Sequence, residues 1–345
     1  MKSVFSYILM FFIVIGLLVV LSVFLYLTTP TSTTRIYKIV YIPPGSTLTK
    51  TAEILKQEGI IKDTRKFSLL VWCRQATKKI KPGEYSLNTA MAPLDILDML
   101  VKGKIVQHLV TIPEGYNVHQ VADLLDCLKL ANKENFLEKC FDPSFISSLG
   151  IEGDSLEGYL FPDTYRMPRY IGENNMVKMM VTRFKRIYNS KYDEEAKKLG
   201  FTMKKVITLA SMIEKEAMIS WERPSISAVF QNRLKKGMKL QSDPTVIYDI
   251  ANFNGEIKKR HLIRKSPYNT YLYYNLPPGP IANPGEESIK AVLFPAKVNY
   301  LYFVSKNDGT HYFSRNLRDH NRAVAIYRKT KNNGEDNGKG NASAQ

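Results

Sequence analysis

The pattern of apolar and polar positions divides the chain at once. From Ser3 to Thr34 no residue is charged, and Val4 to Leu27 is almost entirely apolar. About 20 such residues suffice for a helix to cross a bilayer. A cleaved signal peptide has an apolar region of about 7–15 residues and an A-x-A-like cleavage site. Neither feature is present, so residues 4–27 read as an uncleaved signal-anchor, with residues 1–3 as a short cytoplasmic end. Lys2 favours keeping that end inside, although Arg35 and Lys38 on the other flank weaken the charge asymmetry.

Beyond a polar linker at 28–35, the pattern shortens into alternating strands and amphipathic helices. Ile36–Ile42 alternates and is β-branched, and Pro43-Pro44-Gly45 closes it. Helices are expected over 47–57 and 63–76, the second capped by Asp63 or Thr64. A strand at Gly83–Leu87, a helix at Pro93–Val101 and a strand at Lys104–Ile112 follow. One register repeats: Ile42, Pro43, Gly45, Ala52 and Leu55 return as Ile112, Pro113, Gly115, Ala122 and Leu125, an offset of 70. Each copy reads as strand, turn and helix start, a scaffold with no chemistry of its own. From about Asp142 the texture changes. Leu156–Pro168 reads as an ordered aromatic loop, and Asn174–Leu199 as a long helix interrupted near Asn189. Met203–Ala217 and Pro224–Lys236 read as further helices, with Pro224 suited to a first turn and Gly237 to a stop. Residues 240–300 read as loops lining a groove. Tyr300–Val304 and Thr310–Phe313 flank Asn307-Asp308-Gly309 as a hairpin, and Arg318–Arg328 closes the fold. Lys329–Gln345 has almost nothing apolar to bury and reads as a disordered tail. The fold class expected is α+β behind a transmembrane helix.

Composition changes this picture little. The chain of 345 residues is 44% hydrophobic and 23% charged, which excludes global disorder. A net charge of +17 invites a nucleic-acid reading, but the basic residues are scattered and form no binding motif. Anionic headgroups and anionic wall polymer explain the balance equally well, and nucleic acid is not an expected partner. Cys73, Cys127 and Cys140 are odd in number and lie among apolar neighbours, so buried free thiols are expected.

The candidate chemistry centres on Ala210-Ser211-Met212-Ile213-Glu214-Lys215-Glu216-Ala217. At 100° per residue, Val206, Leu209, Ala210, Ile213 and Ala217 share a face, with Glu214 and Glu216 on its opposite borders. Periodicity does not choose between them. Glu216 lies nearer the helix C-terminus, where the macrodipole favours the protonated carboxyl that a proton donor needs. By itself the octapeptide reads more readily as a solvated Glu-Lys-Glu turn.

Other blocks change that balance. Leu156–Tyr165 (LEGYLFPDTY), Ala210–Ala217, Phe230–Tyr248 (FQNRLKKGMKLQSDPTVIY), Ser266–Tyr271 (SPYNTY), Leu276–Gly285 (LPPGPIANPG) and Pro295-Ala296-Lys297 together resemble the endolytic murein transglycosylase family, MltG/YceG-like. The resemblance covers roughly residues 36–330. It implies a single-pass protein of the cytoplasmic (inner) membrane, with a LysM-like subdomain at 36–112. A catalytic domain at 113–328 would then face the periplasm or outer side. It also implies cleavage within nascent peptidoglycan glycan strands, which ends their growth, with penicillin-binding synthases as candidate partners. The matching catalytic residue is Glu216, and Glu214 is the runner-up. Family members often have Thr after that Glu, where this chain has Ala217. A single carboxyl fits the chemistry, because the muramic C6 hydroxyl is the nucleophile and needs no cofactor or metal. Ordinary glycosidases use a carboxylate pair, and Asp243 is the candidate for a second. Gln241, Asn269 and Asn283 suit hydroxyl and N-acetyl groups, while Tyr248 and Tyr268 offer faces to sugar rings. For each of these, loop architecture is an equal reading. The rival from another class is a non-enzymatic scaffold that binds glycan and recruits synthases.

Overall fold

The computed structural model describes residues 2–251, 253 and 255–327. Along the chain the elements are α1 (Lys2–Thr28), β1 (Tyr37–Ile42), α2 (Leu48–Gln57), α3 (Thr64–Cys73), β2 (Gly83–Asn88), α4 (Pro93–Lys102) and β3 (His108–Thr111). Then come α5 (Val118–Cys127), α6 (Lys133–Phe141), α7 (Pro143–Ser148), β4 (Thr164–Met167), α8 (Glu173–Ile187), α9 (Ser190–Lys198) and α10 (Met203–Glu216). The last are α11 (Arg223–Lys235), α12 (Lys259–Leu262), α13 (Glu286–Leu293), β5 (Tyr302–Ser305), β6 (His311–Ser314) and α14 (317–327). Short 3-10 turns at Ser220–Glu222 and Asp243–Val246 flank α11. The strands pair two by two, β1 with β2, β3 with β4 and β5 with β6. The architecture is mixed α+β. Residues 329–345, where the sequence suggests a disordered tail, lie outside the described residues.

Among the described residues two compact units result, one reaching to residue 109 with 166–171 and one of 110–165 with those from 172 onward. In the first, β1 and β2 run antiparallel from Tyr37 opposite Asn88 to Ile42 opposite Gly83. Alternation sends Val40, Ile42, Tyr85 and Leu87 inward, onto Ala52 and Leu55 of α2, Phe67, Leu70 and Val71 of α3 and Ile96, Leu97 and Leu100 of α4. Each Val, Leu, Ile or Phe among them contributes about 1.5–3 kcal/mol on burial. Asp63 caps α3 by accepting from the Arg65 and Lys66 amides. Within Met10–Thr28, α1 is long and apolar enough to cross a membrane.

The sequence echo is a structural one. Gly45 and Gly115 adopt φ of +75° and +76° before α2 and α5. Thr47 and Asn117 cap those helices, and Ala52, Leu55, Ala122 and Leu125 are all fully buried. Asn189 likewise caps α9, so the break in the long helical stretch falls where a side chain can serve a new N-terminus. Expectation and structure part at several places. Leu156–Pro168 is not all loop, since β4 occupies Thr164–Met167. Residues 286–293 form α13 and bury Ile289, Ala291, Val292 and Leu293. Cys73 and Cys127 are exposed, because they close α3 and α5 on the side away from the core, and only Cys140 is buried.

The second unit is organised around α10. Val206 to Ile213 is buried without interruption, so this helix has no solvent face over two turns. It packs against α9, α11 and α13, and Ser211, polar and fully buried, bonds to Thr208 O and accepts from the Ile281 amide (3.0 Å). A one-faced amphipathic helix, as periodicity suggested, is therefore too modest a description. Gly158 shows how close the packing is. Its φ is +87°, and a Cβ there would lie 2.6 Å from Pro280 Cγ and 2.7 Å from Ile207 Cγ2. Gly158→Ala should lower stability by about 1–3 kcal/mol through overpacking and strain, measured by denaturant unfolding of the full chain. Wild-type stability in this variant would contradict the packing.

Candidate active site

The two carboxylates at the end of α10 diverge. Glu214 is 5% exposed and takes the Arg223 guanidinium on Oε1 (2.9 Å) and the Gly285 amide on Oε2 (3.0 Å). It ties α10 to α11 and to the start of α13. Glu216, the last residue of α10, instead accepts from the Ser242 hydroxyl (2.6 Å) and lines a cleft of about 470 Å³. Ala217 follows as the C-cap, its amide bonded to Ile213 O.

The cleft gathers groups from distant parts of the second unit. Asp243 accepts from the Tyr271 hydroxyl (2.5 Å). Arg233 is held by Leu301 O (2.7 Å) and Leu240 O (2.6 Å), with its guanidinium 5.2 Å from the Tyr302 ring centre. His311 enters from the β5–β6 hairpin, its Nδ1 2.7 Å from Oε2 of the buried Glu222 and its amide donating to Oε1 (2.9 Å). Gln241 lines the cleft with φ of +50°, its amide bonded to Thr270 O. A non-glycine residue in that region is strained and persists only where its surroundings fix it. Burial pushes the Glu216 carboxyl up to about 7, and neighbouring Asp243 adds to the rise. The Ser242 hydroxyl, Arg233 and the Asp243 amide oppose it without cancelling it.

The other sequence candidates sit elsewhere. Tyr248 lines a separate recess of about 230 Å³ with Asn117, His119 and Lys215, and its ring meets Tyr268 at 4.6 Å. Its hydroxyl donates to Glu157 (3.0 Å), a residue 3% exposed that also accepts from the Val118 amide. Burial pushes Glu157 up to about 7 against those bonds. Asn269 is buried and spends its amide on Leu262 O and Arg264 O. Asn283, also buried, accepts from the Leu160 amide and donates to Tyr116 O. These two asparagines tie loop backbone together, the bland alternative the sequence left open. Arg233, Tyr271 and the Glu222–His311 pair were not singled out from the sequence. The first two stand in or beside the quoted blocks, whereas nothing local joins Glu222 to a histidine 89 residues later. Among the described residues, no group of three His, Cys, Asp or Glu side chains converges to hold a metal ion.

The two raised carboxyls make stability depend on pH. A group with its pKa higher folded than unfolded favours the folded state below the unfolded value, near 4.5, and loses that contribution as pH rises through about 7. For the buried Glu157 the full change is roughly 3 kcal/mol. Glu157→Gln and Glu216→Gln should each flatten the fall in Tm between pH 4.5 and 7.5. Thermal melts across that range check it, and a slope unchanged from wild type would show the carboxyls titrating normally.

Known proteins bear on this arrangement directly. The chain matches the YceG-like family over residues 40–326. It is 35% identical to a Bacillus subtilis (strain 168) protein named endolytic murein transglycosylase, over 84% of this chain and 85% of the relative. A Streptococcus pneumoniae (serotype 2, strain D39) protein of the same name is 31% identical over 86% of this chain and 59% of its own length. A crystal structure of a YceG-like protein from Listeria monocytogenes superposes with a TM-score of 0.58 at 34% identity, covering 84% of this chain and 99% of that one. Matched over most of its length by sequence and by fold, the chain belongs to the YceG-like family.

Proposed function

We propose that this protein is an endolytic lytic transglycosylase acting on murein glycan strands, with Glu216 as its catalytic residue. The observation that carries the reading is a carboxyl pushed up to about 7 at the helix end that borders the cleft. A protonated Glu216 donates its proton to the glycosidic oxygen between N-acetylmuramic acid and N-acetylglucosamine. As carboxylate it then takes the proton of the muramic C6 hydroxyl, whose oxygen attacks C1 and closes a 1,6-anhydro ring. Proton and leaving group balance within the substrate, so a single carboxyl serves both steps. Ser242 holds the carboxylate oxygen, Arg233 supplies positive charge nearby, and Gln241 and Asp243 offer bonding groups to sugar hydroxyls. Glu214 is engaged by Arg223 and the Gly285 amide and does not line the cleft, so it is not placed to meet the glycosidic bond. Tyr248, in the separate recess, and the Tyr268 ring beside it would serve an outer part of the glycan.

The wider reading follows from the family and the apolar N-terminus. We assign α1 as a single-pass anchor in the cytoplasmic membrane, with its N-terminus in the cytoplasm and the chain from Arg35 onward outside it. Residues 36–112 form a LysM-like subdomain that positions polymer, and residues 113–328 form the catalytic domain. Cleavage inside a growing strand would end its elongation, which makes peptidoglycan synthases the natural partners. Asp243, in the same cleft, is the observation favouring a second chemistry, in which it activates water and the products are reducing ends.

Glu216→Gln should lower the rate about 10²–10⁴-fold while the fold is kept. Glu214→Gln should lower stability, because it breaks a buried pair with Arg223, and spare the rate of the folded fraction. Mass spectrometry of muropeptides reads both. Anhydromuramyl ends support transglycosylation, and reducing muramic ends would point to hydrolysis. The rate should fall as pH rises through about 7, where Glu216 loses its proton. Asp243→Asn should move that limb to lower pH, since Asp243 is one of the groups holding the Glu216 value up. An unmoved limb would mean a different group controls it.

A further inference from the structure

The first unit has a surface that neither its core nor the proposed chemistry explains. At 100° per residue, Arg65, Leu69 and Trp72 share the face of α3 opposite Phe67, Leu70 and Val71, which are buried. Trp72 is 71% exposed and Leu69 48%. Trp72 and Leu69 together leave a small apolar patch in water on that face. Beside it, α1 closes a groove of about 400 Å³ against the start of α3. One wall is Leu18, Leu21 and Leu25, and Lys62 and Lys66 stand at the other. Tyr26 fixes the junction, its hydroxyl donating to Asp63 O (3.0 Å) and its ring lying 5.6 Å from the Lys66 ammonium. Asp63 spends its carboxylate on capping α3. Among the described residues, neither Lys62 nor Arg65 forms an ion pair, and both are exposed.

We propose that this groove and the outer face of α3 form one phospholipid-docking surface. An apolar wall with two ammonium groups at its mouth has the chemistry of an acyl chain ending in a phosphate. The leucines belong to the apolar span Met10–Thr28, so the lysines stand level with its outer end. That is where lipid phosphates lie if α1 crosses the bilayer. A tryptophan is at home in the same layer, with its ring among headgroups. Lysine and arginine near an anionic leaflet add attraction there, and their stems can lie along apolar surface. The first unit is thereby laid on the membrane rather than held away from it on a tether. This inference rests on the reading of α1 as an anchor.

The chain has two tryptophans, so Trp221→Phe leaves Trp72 as the sole reporter. The full-length variant would be placed in nanodiscs of phosphatidylcholine and phosphatidylglycerol, with and without brominated acyl chains. Trp72 emission should be blue-shifted in nanodiscs and should drop with the brominated lipid. Lys62→Glu with Lys66→Glu should weaken that quenching in anionic nanodiscs. A chain that enters nanodiscs yet shows equal emission with both lipids, and quenching by aqueous iodide, overturns the docking surface alone. That result would leave the α3 face to a protein or glycan. Unchanged quenching in the double variant overturns the role of the lysines. Failure to enter nanodiscs overturns the anchor and this surface together.

Discussion

The second unit depends on how it ends one buried helix. A helix terminus leaves carbonyls unpartnered and concentrates negative potential, so acidic side chains there are disfavoured unless something answers them. At the end of α10 the answer differs for two residues one position apart from each other's neighbour, Lys215. Glu214 meets Arg223 and the Gly285 amide and becomes a structural tie. Glu216 receives the Ser242 hydroxyl, with Arg233 and the Asp243 amide adding less, and burial still holds its carboxyl up to about 7. The first arrangement fixes the helix end so that the second can be left undercompensated.

Much of this was legible from residue order alone. Turn chemistry carried the most information: Pro and Gly after the first strand, Asp63 before α3, Asn189 before α9 and Asn307-Asp308-Gly309 between β5 and β6 all act locally, and local rules recover them. The repeat at offset 70 was readable for the same reason, since both copies use the same left-handed glycine. What escaped is what depends on distant partners. Residues 286–293 are apolar enough for a helix, but they sit among prolines and glycines that read as loop, and only packing against α10 and α11 makes the helix pay its entropy. Cys73 and Cys127 have apolar sequence neighbours yet end on the outer sides of their helices, because neighbours in sequence are not neighbours in space.

The candidate site divides along the same line. The resemblance carried by the octapeptide and the other blocks points the candidate chemistry to the Glu-x-Glu pair, but periodicity is symmetric about the two glutamates. Their environments break the symmetry, through Arg223 on one side and Ser242 on the other. Asn269 and Asn283 were equally consistent with sugar contacts and with loop ties until their amide groups were seen to be used up by Arg264 O and Tyr116 O. Glu157 stood inside a quoted block without attracting a role, and its burial beneath Tyr248 is invisible to any local reading.

The β5–β6 hairpin has a consequence of a different kind. It brings His311 to the cleft and lends Tyr302, Phe303 and Val304 to one wall, while its own turn is tied back to α14 by the Asn307 side-chain amide, which donates to Tyr327 O (2.9 Å). Loops commonly vary more than the elements they join, but this tip is fixed at α14, so a change of length there would be felt in the strands that wall the cleft. The width of the cleft is therefore set partly from outside it, by how the turn is anchored to α14, a control separate from the hydrogen bond that holds Glu216.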